Sequence, residues 1–459
     1  MWRKRLQIDR PVSQRKYTSV ITCLQLVKIL GEAHDWYLDF VDMNYRPRES
    51  DLICLFRVEP KGVSMEEALG RVASESSNGT WTEVTTMKPE IRRLSAKAYE
   101  RDGNFVKVAY PVDLFEPGSM AQIFSSIAGN IFGMKALENL RLEDVRWPKE
   151  IVDSFMGPQF GIDGIRRIFK VKERPLTATV PKPKVGMTPE EHAKVGYEAW
   201  MGGLDLLKDD ENLTSQKFNN FYNRVSASFK MRDRAEKETG ERKSYLVNIS
   251  AETKEMNKRA KAVKDHGGEY VMVDILTVGW SALQTIREEC QDLGLAIHAH
   301  RAFHSTFTRN PKHGVSMLVI AEAARLIGVD QIHVGTVVGK LVGPEAEVLS
   351  MRDAMENREV KPGEHILGQD WYGKKPVFAV ASGGLHPGLI PEVIKMLGPQ
   401  IVIQAGGGVD GHPDGVRAGA AALRQSIDAA LQEIPLEEYA GKHKELRRAL
   451  EHWGFVRPI

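Results

Sequence analysis

In the second half of this chain, apolar positions recur in short runs separated by longer amphipathic stretches. The runs are LTATV (176–180), LDLL (204–207), YLVNIS (245–250), YVMVDIL (270–276), LAIHAH (295–300), QIHVGT (331–336), PVFAVA (376–381) and IVIQA (401–405). Short, nearly continuous apolar runs predict strands buried on both faces, as in a parallel sheet. The stretches between them, such as TPEEHAKVGYEAW and SALQTIREECQDLG, carry helical patterns. Repeating strand–helix units over about 250 residues predict an α/β fold whose C-terminal part is a (β/α)8 TIM barrel. An open doubly wound sheet is the structural rival.

The first part of the chain lacks that rhythm. DLICLFRVEP (51–60) predicts a strand, SMEEALGRVASES (64–76) a serine-capped helix, NFVKVAYPVDLF another strand, and SMAQIFSSIAGNIFG (119–133) another helix. This mixture predicts a smaller N-terminal α+β (ferredoxin-like) domain. The expected division is an N-terminal extension at 1–34, the α+β domain at 35–157, the barrel at 158–434 and a helical tail at 435–459.

Composition narrows the function classes. Of 459 residues, 63 are Lys or Arg and 61 are Asp or Glu, so no global charge footprint points to nucleic acid or an anionic membrane. No apolar run approaches the roughly 20 residues needed to span a bilayer. The basic start followed by YTSVITCLQLVKIL imitates a signal peptide, but polar residues interrupt it and no small-residue cleavage site follows. Three widely spaced cysteines, Cys23, Cys54 and Cys290, form neither a disulfide framework nor a zinc pattern. The expected location is cytoplasmic.

In a barrel of this type, chemistry gathers where strands end. Those positions here are polar: Lys182 and Lys184; Lys208, Asp210 and Glu211; Asn248; Asp274; His298, His300, Arg301 and His304; His333 and then Lys340; Ser382, Gly383 and Gly384; Gly406, Gly407 and Gly408. Glycine turns after the last two strands suit phosphate binding by free backbone N–H groups. Arg301 and His333 suit a second phosphate, so a substrate phosphorylated at both ends fits. Strand alternation sends Lys208 and Asp210 to one face and Asp209 to the other. Two readings of KDDE stay open at this level. One is ion pairing. The other is a Mg²⁺ site, which needs Lys208 chemically altered because an ammonium cannot ligate a cation.

The segments GGLDLLKDDEN, TVPKPKVG, IHAHRAFH, IHVGTVVGKL, ASGGLHPG and AGGGVDGHPDG resemble the large subunit of ribulose-1,5-bisphosphate carboxylase/oxygenase (RuBisCO). ESSNGTWTEV and GNIFGMKALENLRLEDVRWP extend the resemblance to the smaller domain, and DFVDMNYRPRESDLICLFRVEP is most similar to the archaeal, form III branch. The resemblance implies carboxylation of ribulose 1,5-bisphosphate by CO2 and water to two 3-phosphoglycerate, with O2 as competing substrate. It implies Mg²⁺ held by Asp210, Glu211 and a carbamate formed from CO2 on Lys208, which also serves as base. Lys182, His300 and Lys340 are the other implied catalytic residues, with Lys184 tuning Lys182. Substrate contacts are implied for Glu75, Thr80, Trp81, Asn130, Arg301, His333, Ser382, Gly383, Gly384, Gly406, Gly407 and Gly408.

Because Glu75, Thr80, Trp81 and Asn130 lie in the smaller domain, the resemblance implies a homodimer with sites shared between chains. Larger rings of dimers are known in that branch, and no small subunit is expected. The implied physiological setting is AMP salvage or a related sugar-phosphate pathway. Departures from plant sequences are Pro181 before the first lysine and Val342 where plants carry an acid. The rivals are a RuBisCO-like enolase or isomerase acting on a phosphorylated sugar or thio-sugar, and a non-catalytic phosphate-binding barrel.

Overall fold

The computed structural model describes residues 35–338 and 345–458. The expected extension at 1–34, together with Lys340 and Val342, lies outside the described residues. The N-terminal part runs β1 (Leu52–Pro60), α1 (Met65–Glu75), β2 (Lys97–Asp102), β3 (Phe105–Tyr110), α2 (Met120–Ile127) and β4 (Leu137–Arg146). Antiparallel pairing orders the strands β4-β1-β3-β2. Alternation along β1 sends Leu52, Cys54, Phe56 and Val58 into one core with Leu69 and Val72 of α1 and Ile123 and Ile127 of α2. Ile53 and Leu55 face the other way, under Leu367. This is the expected ferredoxin-like arrangement.

One of two local expectations holds here and the other needs correction. Ser64 does cap α1, its hydroxyl accepting from the Glu67 N–H at 3.1 Å. The helix expected over 119–133, however, stops at Ile127 and gives way to a 3-10 turn, Asn130–Gly133. The chain turns at Gly129, where a Cβ would lie 2.1 Å from the Ser125 carbonyl oxygen.

All eight apolar runs form strands of one closed parallel barrel: β5 (Leu176–Thr179), β6 (Leu206–Lys208), β7 (Ser244–Asn248), β8 (Tyr270–Asp274), β9 (Ala296–His300), β11 (Gln331–His333), β12 (Phe378–Ser382) and β13 (Ile401–Gln404). The helices that matter for the site are α3 (Gly161–Phe169), α4 (Pro189–Met201), α5 (Phe221–Thr239) and α6 (Met317–Ile327). The second strand begins at Leu206, not at the expected Leu204. Asp205 is drawn off by Arg174, by two 2.7 Å hydrogen bonds, and by the Thr177 N–H and hydroxyl. The fourth strand ends at Asp274, and Ile275–Val278 turns into a short helix.

Alternation divides each strand between two destinations. Leu207, Val247, Val271, Ile297, Ile332 and Ile403 pack outward into the helical layer. Leu176, Leu206, Leu246, Met272, Phe378 and Val402 point inward and fill the lower barrel, where Ile162, Ile165 and Phe169 of α3 close it from below. Continuing the inward column upward by two residues per step reaches Lys208, Asn248, Asp274, His300 and Ser382. The polar mouth is the top of the same column whose base is the apolar plug.

The N-terminal sheet is docked on its own barrel by backbone pairing. A short strand, β10 (Gly314–Val315), extends the sheet by pairing parallel to β4. The Leu367 N–H donates to Asp144 at 2.7 Å, and the Trp147 indole donates to Glu322 of α6 at 3.1 Å. Among the described residues no helix is long and apolar enough to cross a membrane.

Asp330, fully buried below β11, fastens the plug: it accepts from the N–H groups of Phe160 and Gly161 at 2.7 and 2.8 Å and from Ile297 at 3.1 Å. Replacing Asp330 by Ala strands three backbone donors, two of them buried, and the expected loss in a denaturant titration is about 3 kcal/mol. A loss below about 1 kcal/mol would mean that the plug is held by its apolar contacts alone.

Candidate active site

At the end of β6 the chain turns Lys208 in, Asp209 out and Asp210 in. Lys208 is fully buried, and its Nζ donates to the Asp209 carbonyl at 2.8 Å. The nearest carboxylate oxygen, Glu211 Oε2, stands 4.0 Å away. Burial lowers the lysine's pKa; the charges of Glu211, Asp274 and Asp210 oppose that shift without reversing it. The interior therefore favours the neutral amine more than water does.

Asp209 anchors the strand from behind. Arg224 of α5 reaches its Oδ2 at 3.2 Å, Tyr245 donates to Oδ1 at 2.5 Å, and the Asn248 N–H donates to Oδ2 at 3.0 Å. His192 of α4 lies 3.2 Å from Oδ1. Burial pushes the Asp209 carboxyl up, but Arg224, His192 and Tyr245 outweigh it and hold the pKa at about 2. Asp209 is thus a fixed anion facing the helices.

Asp210 and Glu211 face the mouth. Asp210 accepts from Lys182 Nζ at 2.9 Å and from the Asn212 N–H and amide at 3.1 and 3.0 Å. Burial raises its pKa, yet these donors outweigh burial and leave it lowered. Asp274 is pushed up to about 6 by burial. Its Oδ1 lies 3.1 Å from His300 Nδ1, while Glu211 Oε2 lies 3.6 Å from His300 Nε2. Burial first, and Lys208 second, bring the His300 pKa down to about 3, so its imidazole is neutral near pH 7.

On the opposite side, Arg301 is buried, with its pKa lowered to about 10 by burial. Its guanidinium lies against Gly335, which has φ +91 and where a Cβ would come within 2.7 Å of a guanidinium nitrogen. Both ring nitrogens of His333 are engaged, Nε2 with His298 at 2.8 Å and Nδ1 with Ser382 at 2.6 Å. Gly383 and Gly384 follow with φ +114 and +75. Gly406 leads into the short helical turn Gly407–Asp410. Among the described residues, no hydrogen bond outside their own elements takes the N–H groups of Gly383, Gly384, Gly407 or Gly408.

The mouth therefore gathers Lys182, Lys208, Asp210, Glu211, His300, Arg301, His333, Ser382 and the two glycine turns. Lys184 is exposed in the loop after β5. In the N-terminal domain, the Glu75 carboxylate accepts from the Tyr37 hydroxyl at 3.2 Å, and the Thr80 carbonyl accepts from the Trp36 indole at 2.9 Å. Trp81 is 76% exposed, and Asn130 is exposed too. Among the described residues, no hydrogen bond, ion pair or ring contact joins these four to the mouth of their own barrel. Lys340 lies outside the described residues. Two residues of the mouth had no signal of their own in the sequence pattern. Asp410, raised to about 6 by burial, accepts from the Lys182 N–H at 3.2 Å, and Asn212 holds Asp210.

The family described as "Ribulose bisphosphate carboxylase large chain, catalytic domain" matches residues 161–453, and "Ribulose bisphosphate carboxylase large chain, N-terminal domain" matches 39–151. A ribulose bisphosphate carboxylase of Pyrococcus abyssi is 55% identical over 428 residues, covering 92% of this chain and 98% of its own. One of Methanosarcina acetivorans is 52% identical over 422 residues, covering 90% and 99%. Among solved structures, the dimeric archaeal Rubisco from Hyperthermus butylicus superposes with a TM-score of 0.87 at 52% identity, covering 92% of this chain and all of that one. The octameric Rubisco from Pyrococcus horikoshii gives 0.85 at 55%, covering 92% and 98%. The chain belongs to the ribulose bisphosphate carboxylase large-chain family.

Proposed function

We propose that the chain carboxylates ribulose 1,5-bisphosphate, giving two molecules of 3-phosphoglycerate, with O2 competing for the same intermediate. The observation that carries this reading is a fully buried lysine amine 4.0 Å from the Glu211 carboxylate, on a strand end that shares the barrel mouth with Asp210 and two glycine turns. The donor set fits a divalent cation once the amine is altered. Among the described residues no three His, Cys, Asp or Glu side chains form a ready metal cluster, whereas Asp210, Glu211 and a carbamate on Lys208 would supply oxygen ligands of the kind Mg²⁺ prefers. When bound there, the cation supplies a Lewis acid for the sugar carbonyl.

The remaining chemistry belongs to the chain. Lys208, whose pKa burial lowers, adds CO2 through its unprotonated amine and releases a proton to solvent, and the resulting carbamate then serves as the base for the C3 proton. His300, with its neutral ring oriented by Asp274, accepts a proton during hydration and C–C cleavage. Lys182, fixed by Asp210, returns a proton to the final carbanion, with Lys184 adding positive potential nearby. Arg301 and the N–H groups of Gly383 and Gly384, and of Gly406, Gly407 and Gly408, bind the two phosphates. Ser382 and His333 line the substrate between them. Lys340 stabilises the new carboxylate. Glu75, Thr80, Trp81 and Asn130 complete the mouth of a second copy, which makes a two-fold dimer the smallest active unit.

Two outcomes test this reading. Purified protein preincubated with bicarbonate and Mg²⁺ is expected to form 3-phosphoglycerate from ribulose bisphosphate, and Lys208→Ala to lower the rate by at least about a hundredfold. Equal product with all metal chelated and CO2 removed would contradict it, as would isomerisation without carboxylation. The second outcome concerns pH. Only the unprotonated amine reacts with CO2, so at constant dissolved CO2 the activation rate rises with pH. Because burial lowers the Lys208 pKa, that rise is centred below the ordinary lysine value of about 10.5. An activation rate that falls from about pH 7 to about pH 9 would rule the amine out as the site of activation.

A further inference from the structure

A single file of buried polar groups crosses four strands inside the barrel and ends at the mouth. Gln331 of β11 lies between Tyr270 of β8 and His298 of β9: its amide nitrogen donates to the Tyr270 hydroxyl at 2.9 Å, and its amide oxygen lies 2.9 Å from His298 Nδ1. His298 Nε2 and His333 Nε2 are 2.8 Å apart, and His333 Nδ1 is 2.6 Å from the Ser382 hydroxyl of β12. Tyr270, Gln331, His298 and His333 are buried, while Ser382 is partly open to the mouth.

A neutral imidazole has one donor and one acceptor nitrogen, so the direction of every bond in such a file is set by its first member. The amide oxygen of Gln331 can only accept, which puts the His298 proton on Nδ1 and leaves Nε2 bare. His333 must then carry its proton on Nε2, leaving Nδ1 as an acceptor. The Ser382 hydrogen is consumed by that nitrogen, and its lone pairs face the mouth. Burial, aided by the neighbouring histidines and Lys208, holds the pKa of both rings well below the ordinary histidine value, so neither carries the second proton that would break the sequence. The opposite amide orientation would reverse all these bonds and leave Ser382 a donor.

We propose that Gln331 is a positioning residue for the reaction: through His298 and His333 it fixes Ser382 as a hydrogen-bond acceptor, matched to a substrate hydroxyl and not to a phosphate oxygen. The kinetic consequence rests on the carboxylase reading, while the tautomers do not.

Gln331→Glu retains only acceptor atoms and locks the proposed direction, whereas Gln331→Leu removes the control. At about pH 8, kcat/KM for ribulose bisphosphate is expected to stay within about threefold in Gln331→Glu and to fall about tenfold in Gln331→Leu, the scale of one hydrogen bond. In a Ser382→Ala background, itself impaired, Gln331→Leu is expected to cost less than about twofold more, because the group it orients is gone. Nitrogen-15 spectra of histidine-labelled wild-type protein, assigned through single histidine substitutions, are expected to show His298 protonated on Nδ1 and His333 on Nε2. Opposite tautomers would overturn the proposal. So would a Gln331→Glu defect as large as that of Gln331→Leu, or an unchanged cost of Gln331→Leu in the Ser382→Ala background. If wild-type protein makes no 3-phosphoglycerate, the carboxylase reading fails, and the tautomers still decide the direction of the file.

Discussion

The burial of one amine at the top of a packed column governs this barrel. Lys208 continues the inward positions that begin with Leu206, so it cannot leave the interior without shifting the whole strand by one residue. Asp209 holds the strand against such a shift: four donors or cations from α4, α5 and β7 meet its carboxylate. With Asp209 outside, Lys208 and Asp210 are inside together. The amine then sits in a low-dielectric site with no carboxylate closer than 4.0 Å, which favours its neutral form. The proposed uptake of CO2 rests on this shift toward the neutral amine.

The rest of the mouth is arranged around that point by the same alternation. Asp274 and His300 end neighbouring strands and pair across the gap, while Lys182 reaches Asp210 from β5. Below, α3 and the inward apolar residues seal the barrel, and Asp330 fastens the seal. Outside, β10 welds the N-terminal sheet to the barrel of its own chain. Trp81 and Asn130 of that domain face solvent.

Much of this was legible in the sequence because it depends on periods of two and on short-range punctuation. Eight apolar runs marked the eight barrel strands, and the alternation around KDDE separated Lys208 and Asp210 from Asp209 before any contact was known. The edges were less legible. The run LDLL overstated the second strand because Asp205 turns away to Arg174, a partner 31 positions earlier in the chain. The partners of Asp209 were hidden for a similar reason. His192 and Arg224 occupy ordinary helical positions, and only closure of the barrel brings them to one carboxylate. Asp410 and Gln331 likewise have no signature of their own; Lys182 and His298 give them their roles through long-range contact. Glu75, Thr80, Trp81 and Asn130 were named by resemblance alone, since no described contact joins them to the mouth of their own barrel.

The most direct measurement is the capture of labelled carbon dioxide by the protein itself. Carbon-13 spectra of wild-type protein with ¹³CO2 and Mg²⁺ are expected to show a protein-bound carbamate that is absent from Lys208→Arg. A carbamate persisting undiminished in Lys208→Arg, or a wild-type protein that carboxylates ribulose bisphosphate without forming one, would contradict the central role given to this buried amine.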